Sequence, residues 1–144
     1  MVTIIGILIL ILGLIAWLGQ SLAFFAPSVA VKLGVLEPEA DVDPTLHIME
    51  ARAEGLVDIL LTWTLPAAAL LMILGHPAWP YLGLFGGGVF LYFSGLITLS
   101  RFFLKRAGKR VGSPASERAA YIFGGLWALS AFTMIGLAAL HLSR

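Results

Sequence analysis

The chain has 144 residues, of which 60% are hydrophobic and only 12% charged, with a formal net charge of +1 and no cysteine. A soluble domain carries about 25% charged residues, so this composition, at a mean hydropathy of +0.98, excludes an ordinary water-soluble globule. The absence of cysteine excludes disulfides, thiolate metal sites, cysteine nucleophiles and iron–sulfur ligation, and the few basic residues leave no surface for nucleic acid.

A bilayer core of about 30 Å takes roughly 20 apolar residues at 1.5 Å each. Four stretches reach that length. The first, residues 2–26, carries no charge and stops at Pro27. It has no basic n-region or cleavage site and its apolar run is too long for a signal peptide, so it reads as a retained helix. From Pro27 the chain reads as a loop rich in acid (Glu37, Glu39, Asp41, Asp43). Asp43-Pro44 then supplies an N-cap and a first helical position for the second span, 44–75. Pro66 inside that span predicts a kink or a free carbonyl. Gly75-His76-Pro77 turns the chain into the third span, 77–104. A basic loop with Gly108, Gly112 and Pro114 comes next, and Ser113 or Ser116 is placed to cap the fourth span, 116–142. The expected fold is all-α, an integral membrane four-helix bundle forming a single domain over 1–144.

Lys and Arg decide orientation, whereas acids count for little. Eight of the nine Lys and Arg residues fall on one side: Lys32, Arg52, Arg101, Lys105, Arg106, Lys109, Arg110 and Arg118. Only Arg144 falls on the other. The basic loops are therefore expected in the cytoplasm, with both termini and His76 on the non-cytoplasmic side. Trp79 and Tyr81 then mark the outer interface, and Phe102, Phe103 and Tyr121 the inner one. A multi-pass protein of a bacterial cell membrane is the expected location.

Two faces stand out. The second span carries His47, Glu50, Glu54, Asp58 and Thr62, which at helical spacing fall within about 120° of one another. The third carries Gly83, Gly87, Ser94, Thr98 and Arg101 within about 60°. Small residues let helix backbones approach closely, so this second face is expected to pack inside the bundle or between copies. The fourth span offers a comparable line in Arg118, Tyr121, Gly125 and Ala128. His47, Glu50, Glu54, Asp58, Arg101 and Arg118 lie at similar depth and form a candidate polar cluster. A carboxylate facing lipid is costly, and the counted depths favour an Asp58–Arg101 pair with Glu54 as the competing partner.

No metal or cofactor is expected. His47 and Glu50 stand three apart, but no other span supplies matching ligands, and bundle metal sites draw carboxylates from several helices. Phosphate-binding loops, nucleophile elbows and zinc-protease motifs are all missing.

Phe25-Ala26-Pro27-Ser28 closing the first span, Glu50-Ala51-Arg52-Ala53-Glu54-Gly55 opening the second, and Arg101 ending the third give the chain a layout that resembles the DoxX-like group of small four-helix bacterial membrane proteins. Some members of that group look like accessory subunits of quinone-linked oxidoreductases, which is what the resemblance implies about partners. It carries over no functional residue. The expected function is a small non-catalytic membrane protein, either an accessory subunit with a membrane-protein partner or a self-associating homo-oligomer in the lipid bilayer. Two alternatives stay open: an oligomeric small-molecule or proton-coupled transporter or channel using the acidic face, and a membrane enzyme acting on a lipid or quinone.

Overall fold

A computed structural model describes residues 2–143. Four helical stretches are long and apolar enough to cross a membrane: Val2–Phe25, Pro44–Ile73, Trp79–Arg106 and Pro114–Leu142. The first is α1 (Val2–Phe25), the third α6 (Trp79–Arg106) and the fourth α7 (Pro114–Leu142). The second is composite: α3 (Pro44–Ile48), a π turn (Met49–Glu54), α4 (Gly55–Leu61) and α5 (Thr64–Ile73). The expected loop after Pro27 begins instead with a short helix, α2 (Pro27–Lys32), because proline at its first position is preorganised for a helix and needs no N–H partner there.

Caps agree closely with the sequence. Asp43 accepts from Thr45 N–H at 3.0 Å with Pro44 at the first position, and Ser113 accepts from Ser116 N–H at 3.2 Å. The Thr45 N–H, helped by Lys109, holds the Asp43 carboxyl below the usual carboxylate range.

Pro66 cannot donate to Thr62, and its ring crowds that carbonyl. The helix accordingly breaks at Thr62–Trp63. The ends of helices leave carbonyls without partners, and inside a bilayer no water can supply them. Here side chains do. Asp58 O accepts from Thr62 Oγ1 at 2.7 Å, Ile59 O from Trp17 Nε1 at 3.1 Å, Leu60 O from Trp63 Nε1 at 2.9 Å, and Leu61 O from Thr64 Oγ1 at 2.6 Å. Four consecutive carbonyls thus accept from four side-chain donors, and Asp58 O also accepts from Thr62 N–H at 2.7 Å.

Glycines set the helix spacing around this break. A Cβ on Gly13 of α1 would stand 2.8 Å from the Pro66 ring, and one on Gly86 of α6 would stand 2.7 Å from Leu65 N. The broken segment is therefore gripped between two bare backbones. On the next face of α6, a Cβ on Gly83 would meet Met134 at 3.0 Å and one on Gly87 would meet Ile135 at 2.5 Å, both on α7. The small-residue face thus packs within the bundle. Its line continues through Ser94, 3% exposed, and Thr98, which lies against Gly124 of α7. Gly124, not the expected Gly125, is the packing glycine there: Gly125 is exposed, with open space above it.

The half of the core beyond Pro66 is filled by Leu65, Ala68, Ala69, Phe90, Ala131, Met134 and Ala138, each fully buried, with Trp79 closing it. At the opposite end the two long loops dock on each other. Val42 and Val111 form an antiparallel bridge, Asp43 N–H donates to Arg110 O at 2.9 Å, and Lys109 pairs with Asp43 at 3.2 Å. Arg110 also donates to Ala40 O. The acidic and basic loops therefore share one end of the bundle.

Candidate functional site

A cavity of about 300 Å³ lies beside this loop end, between α1, the loop after α2, the π turn, α6 and α7. Small residues create it: Ala16, Gly19 and Ala23 on α1 face Ala119 and Ala120 on α7. Gly34–Leu36 closes it from below, where Gly34 adopts the left-handed conformation (φ 70°) that turns the chain back beneath α1. Toward the bundle centre the Trp127 indole donates to Leu12 O at 2.9 Å and ties α7 to α1.

The walls are aromatic. Trp127 stands 5.1 Å from Phe93 and 5.4 Å from Phe123, ring centroid to centroid. The floor is charged. Arg101 is 8% exposed, its Nη2 lies 2.6 Å from Glu50 Oε1, and its Nη1 donates to Ile97 O at 3.3 Å. The guanidinium Nε is buried with no partner among the described residues. Glu54 lines the same cavity, and its carboxylate makes no ion pair or hydrogen bond among the described residues. Gln20 and Ser116 add two neutral polar groups at the edge. Ile15 and Val35 at the rim are 46% and 49% exposed. Ile15 lies on α1, one of the four candidate spans, and Val35 in the loop after α2, so the mouth lies between an apolar helix face and that loop.

The candidate cluster is thus assembled in part and corrected in part. Glu50, Glu54 and Arg101 meet at the cavity. Asp58 does not pair with Arg101, although it is 7% exposed; Glu50 takes that place. The connection from Ile73 to Trp79 is longer than a tight turn. Arg101 therefore lies about 33 Å along α6, Asp58 only about 22 Å back along the second span, and Glu50 nearer to the arginine's depth. The π turn contributes too, since an extra residue rotates the downstream helix by about 100° and takes Asp58 off the cavity wall. His47 is half-buried, its Nδ1 without a hydrogen-bond partner among the described residues. Arg118 is exposed and outside the group. Among the described residues no three His, Asp or Glu side chains converge as metal ligands.

The aromatic wall and Gln20 were missed by reasoning from sequence. Gln20 did carry a signal, a polar amide in an otherwise apolar span. Comparison with protein-family models, with curated proteins and with solved structures finds no match to this chain.

Proposed function

We propose that this is a small multi-pass membrane protein that takes a lipid-like amphiphile from the bilayer into the cavity between α1 and α7. The observation that carries the reading is the joining of two chemistries in one space. Phe93, Phe123 and Trp127 offer an apolar wall, and Glu50, Glu54 and Arg101 a charged floor. Ligand sites are concave, mostly apolar, and oriented by a few convergent polar groups. A mouth against the apolar face of α1 admits a tailed molecule without exposing the tail to water.

The transport reading gains no support from the core, which is packed with apolar side chains beyond Pro66. Self-association loses its main argument, because Gly83 and Gly87 are occupied by α7. The resemblance to the DoxX-like group rests on Phe25–Ser28, Glu50–Gly55 and Arg101, and of these Glu50, Glu54 and Arg101 line the cavity. With the positive loops in the cytoplasm, both termini lie outside and the cavity belongs to the inner leaflet.

The test is organic extraction of the protein purified in mild detergent. Wild type should retain one amphiphile enriched over bulk lipid. Gly19→Leu and Ala120→Leu, each filling the cavity from a different helix, should both lose it. Identical lipid profiles for all three folded proteins would refute the reading.

A further inference from the structure

We infer that the amphiphile taken into this cavity carries a cationic head, an amine rather than an alcohol or an acid. The inference rests on the amphiphile reading above and specifies the chemical class of the ligand.

The ionisable side chains that line the space are Glu50, Glu54 and Arg101. Two carboxylates against one guanidinium leave the floor with one negative charge in excess. The guanidinium is already committed. Its Nη2 lies 2.6 Å from Glu50 Oε1 and its Nη1 donates to Ile97 O at 3.3 Å, while its Nε is sealed off from the space. Arg101 therefore meets a ligand with its charge already neutralised.

Glu54 is the opposite case. Its carboxylate has no ion pair or hydrogen bond among the described residues, yet the residue is only half-buried and neither oxygen is sealed away. It stands at the same floor, within electrostatic reach of both Glu50 and Arg101. The cavity thus offers a ligand one free negative charge and no free positive one.

That imbalance ranks the head groups. An acid would bring a further negative charge to a floor whose cation is spent, and repulsion grows where water is scarce. A zwitterionic phospholipid would carry its phosphate into the same place. An alcohol donates a hydrogen bond to Glu54 but leaves the charge uncompensated, and an uncompensated charge away from water is costly. An ammonium supplies both the N–H donor and the opposite charge. The wall favours the same class: Phe123 and Trp127 line the space and are half-buried, and aromatic faces, tryptophan above all, attract cations. A volume of about 300 Å³ suits a compact amine better than a large head.

Three probes with one tail decide the matter: oleylamine (cation), oleyl alcohol (neutral donor) and oleate (anion). Each is titrated against the protein in mild detergent and read by native mass spectrometry. Oleylamine should bind at least about tenfold more tightly than oleyl alcohol, the low end for a close charge pair at an interface, and oleate should bind most weakly. This ranking is read on the wild type and depends on no variant folding. Glu54→Gln, which keeps the shape and removes the charge, should erase most of the preference for amine over alcohol, and Glu54→Asp should keep it. Alcohol or oleate binding as tightly as the amine would overturn the cationic assignment, and so would a preference unmoved in Glu54→Gln. If no probe binds, or binding survives both Gly19→Leu and Ala120→Leu, the amphiphile reading itself fails.

Discussion

Glu50 Oε1 and Arg101 Nη2 stand 2.6 Å apart, joining the π turn of the second span to the end of the third. With side-chain exposures of 13% and 10%, neither charge can turn fully to water. Removing one member of such a pair strands the other at a cost of about 3–5 kcal/mol, whereas removing both costs much less. Glu50→Gln and Arg101→Gln should therefore each destabilise the protein strongly, and the double variant should recover part of the loss. Asp58→Asn should leave this coupling intact. Denaturation in detergent micelles measures it, and strictly additive losses would break the assignment.

Helix spacing should be sensitive to a single methyl group on one face of α6 and indifferent to it on another. Gly86→Ala would place Cβ 2.7 Å from Leu65 N, and Gly87→Ala would place it 2.5 Å from Ile135, while Gly88 has open space. Overpacking costs about 1–3 kcal/mol. The first two variants should lose stability on that scale, and Gly88→Ala should be neutral in a thermal melt.

The covered carbonyls before Thr62–Trp63 predict modest individual losses. Trp17→Phe removes the donor to Ile59 O, and Thr64→Val removes the donor to Leu61 O. Hydrogen bonds between membrane helices average about 0.6 kcal/mol, so Trp17→Phe should lose about that much, and Thr64→Val, whose bond is local to the second span, about 0.5–1.5 kcal/mol. The paired variant should also increase hydrogen exchange at residues 62–65, where the helix end is left uncovered.

How much of the structure is legible in the sequence depends on range. Asp43-Pro44 and Ser113 mark their helix starts because capping is decided within three residues. The Gly83–Thr98 face is legible for the same reason: its periodicity lies within one helix. Pro66 announces a break, but not that Trp17, distant in sequence, covers one of the exposed carbonyls. The partner of Arg101 is misread because a π turn and a longer connection shift both phase and depth, and neither has a residue signature here. The cavity is invisible, since Gly19, Ala119 and Ala120 become a space only when α1 and α7 are set side by side.

Orientation is tested by cysteine labelling in intact cells, which the cysteine-free chain permits without background. Ala78 and Ala115 are both exposed. Ala78→Cys should react with a membrane-impermeant maleimide from outside, and Ala115→Cys only after the membrane is opened. The reverse pattern would invert the topology.

The most direct test of the cavity as a binding site uses Trp127, which lines it. Tryptophan fluorescence is monitored in nanodiscs while an alkylamine with a brominated chain is added at low mole fraction. The account predicts a saturable quenching component in wild type that disappears in Trp127→Phe and is abolished by Gly19→Leu. Quenching that rises only in proportion to bulk lipid, equal in all three proteins, would contradict it.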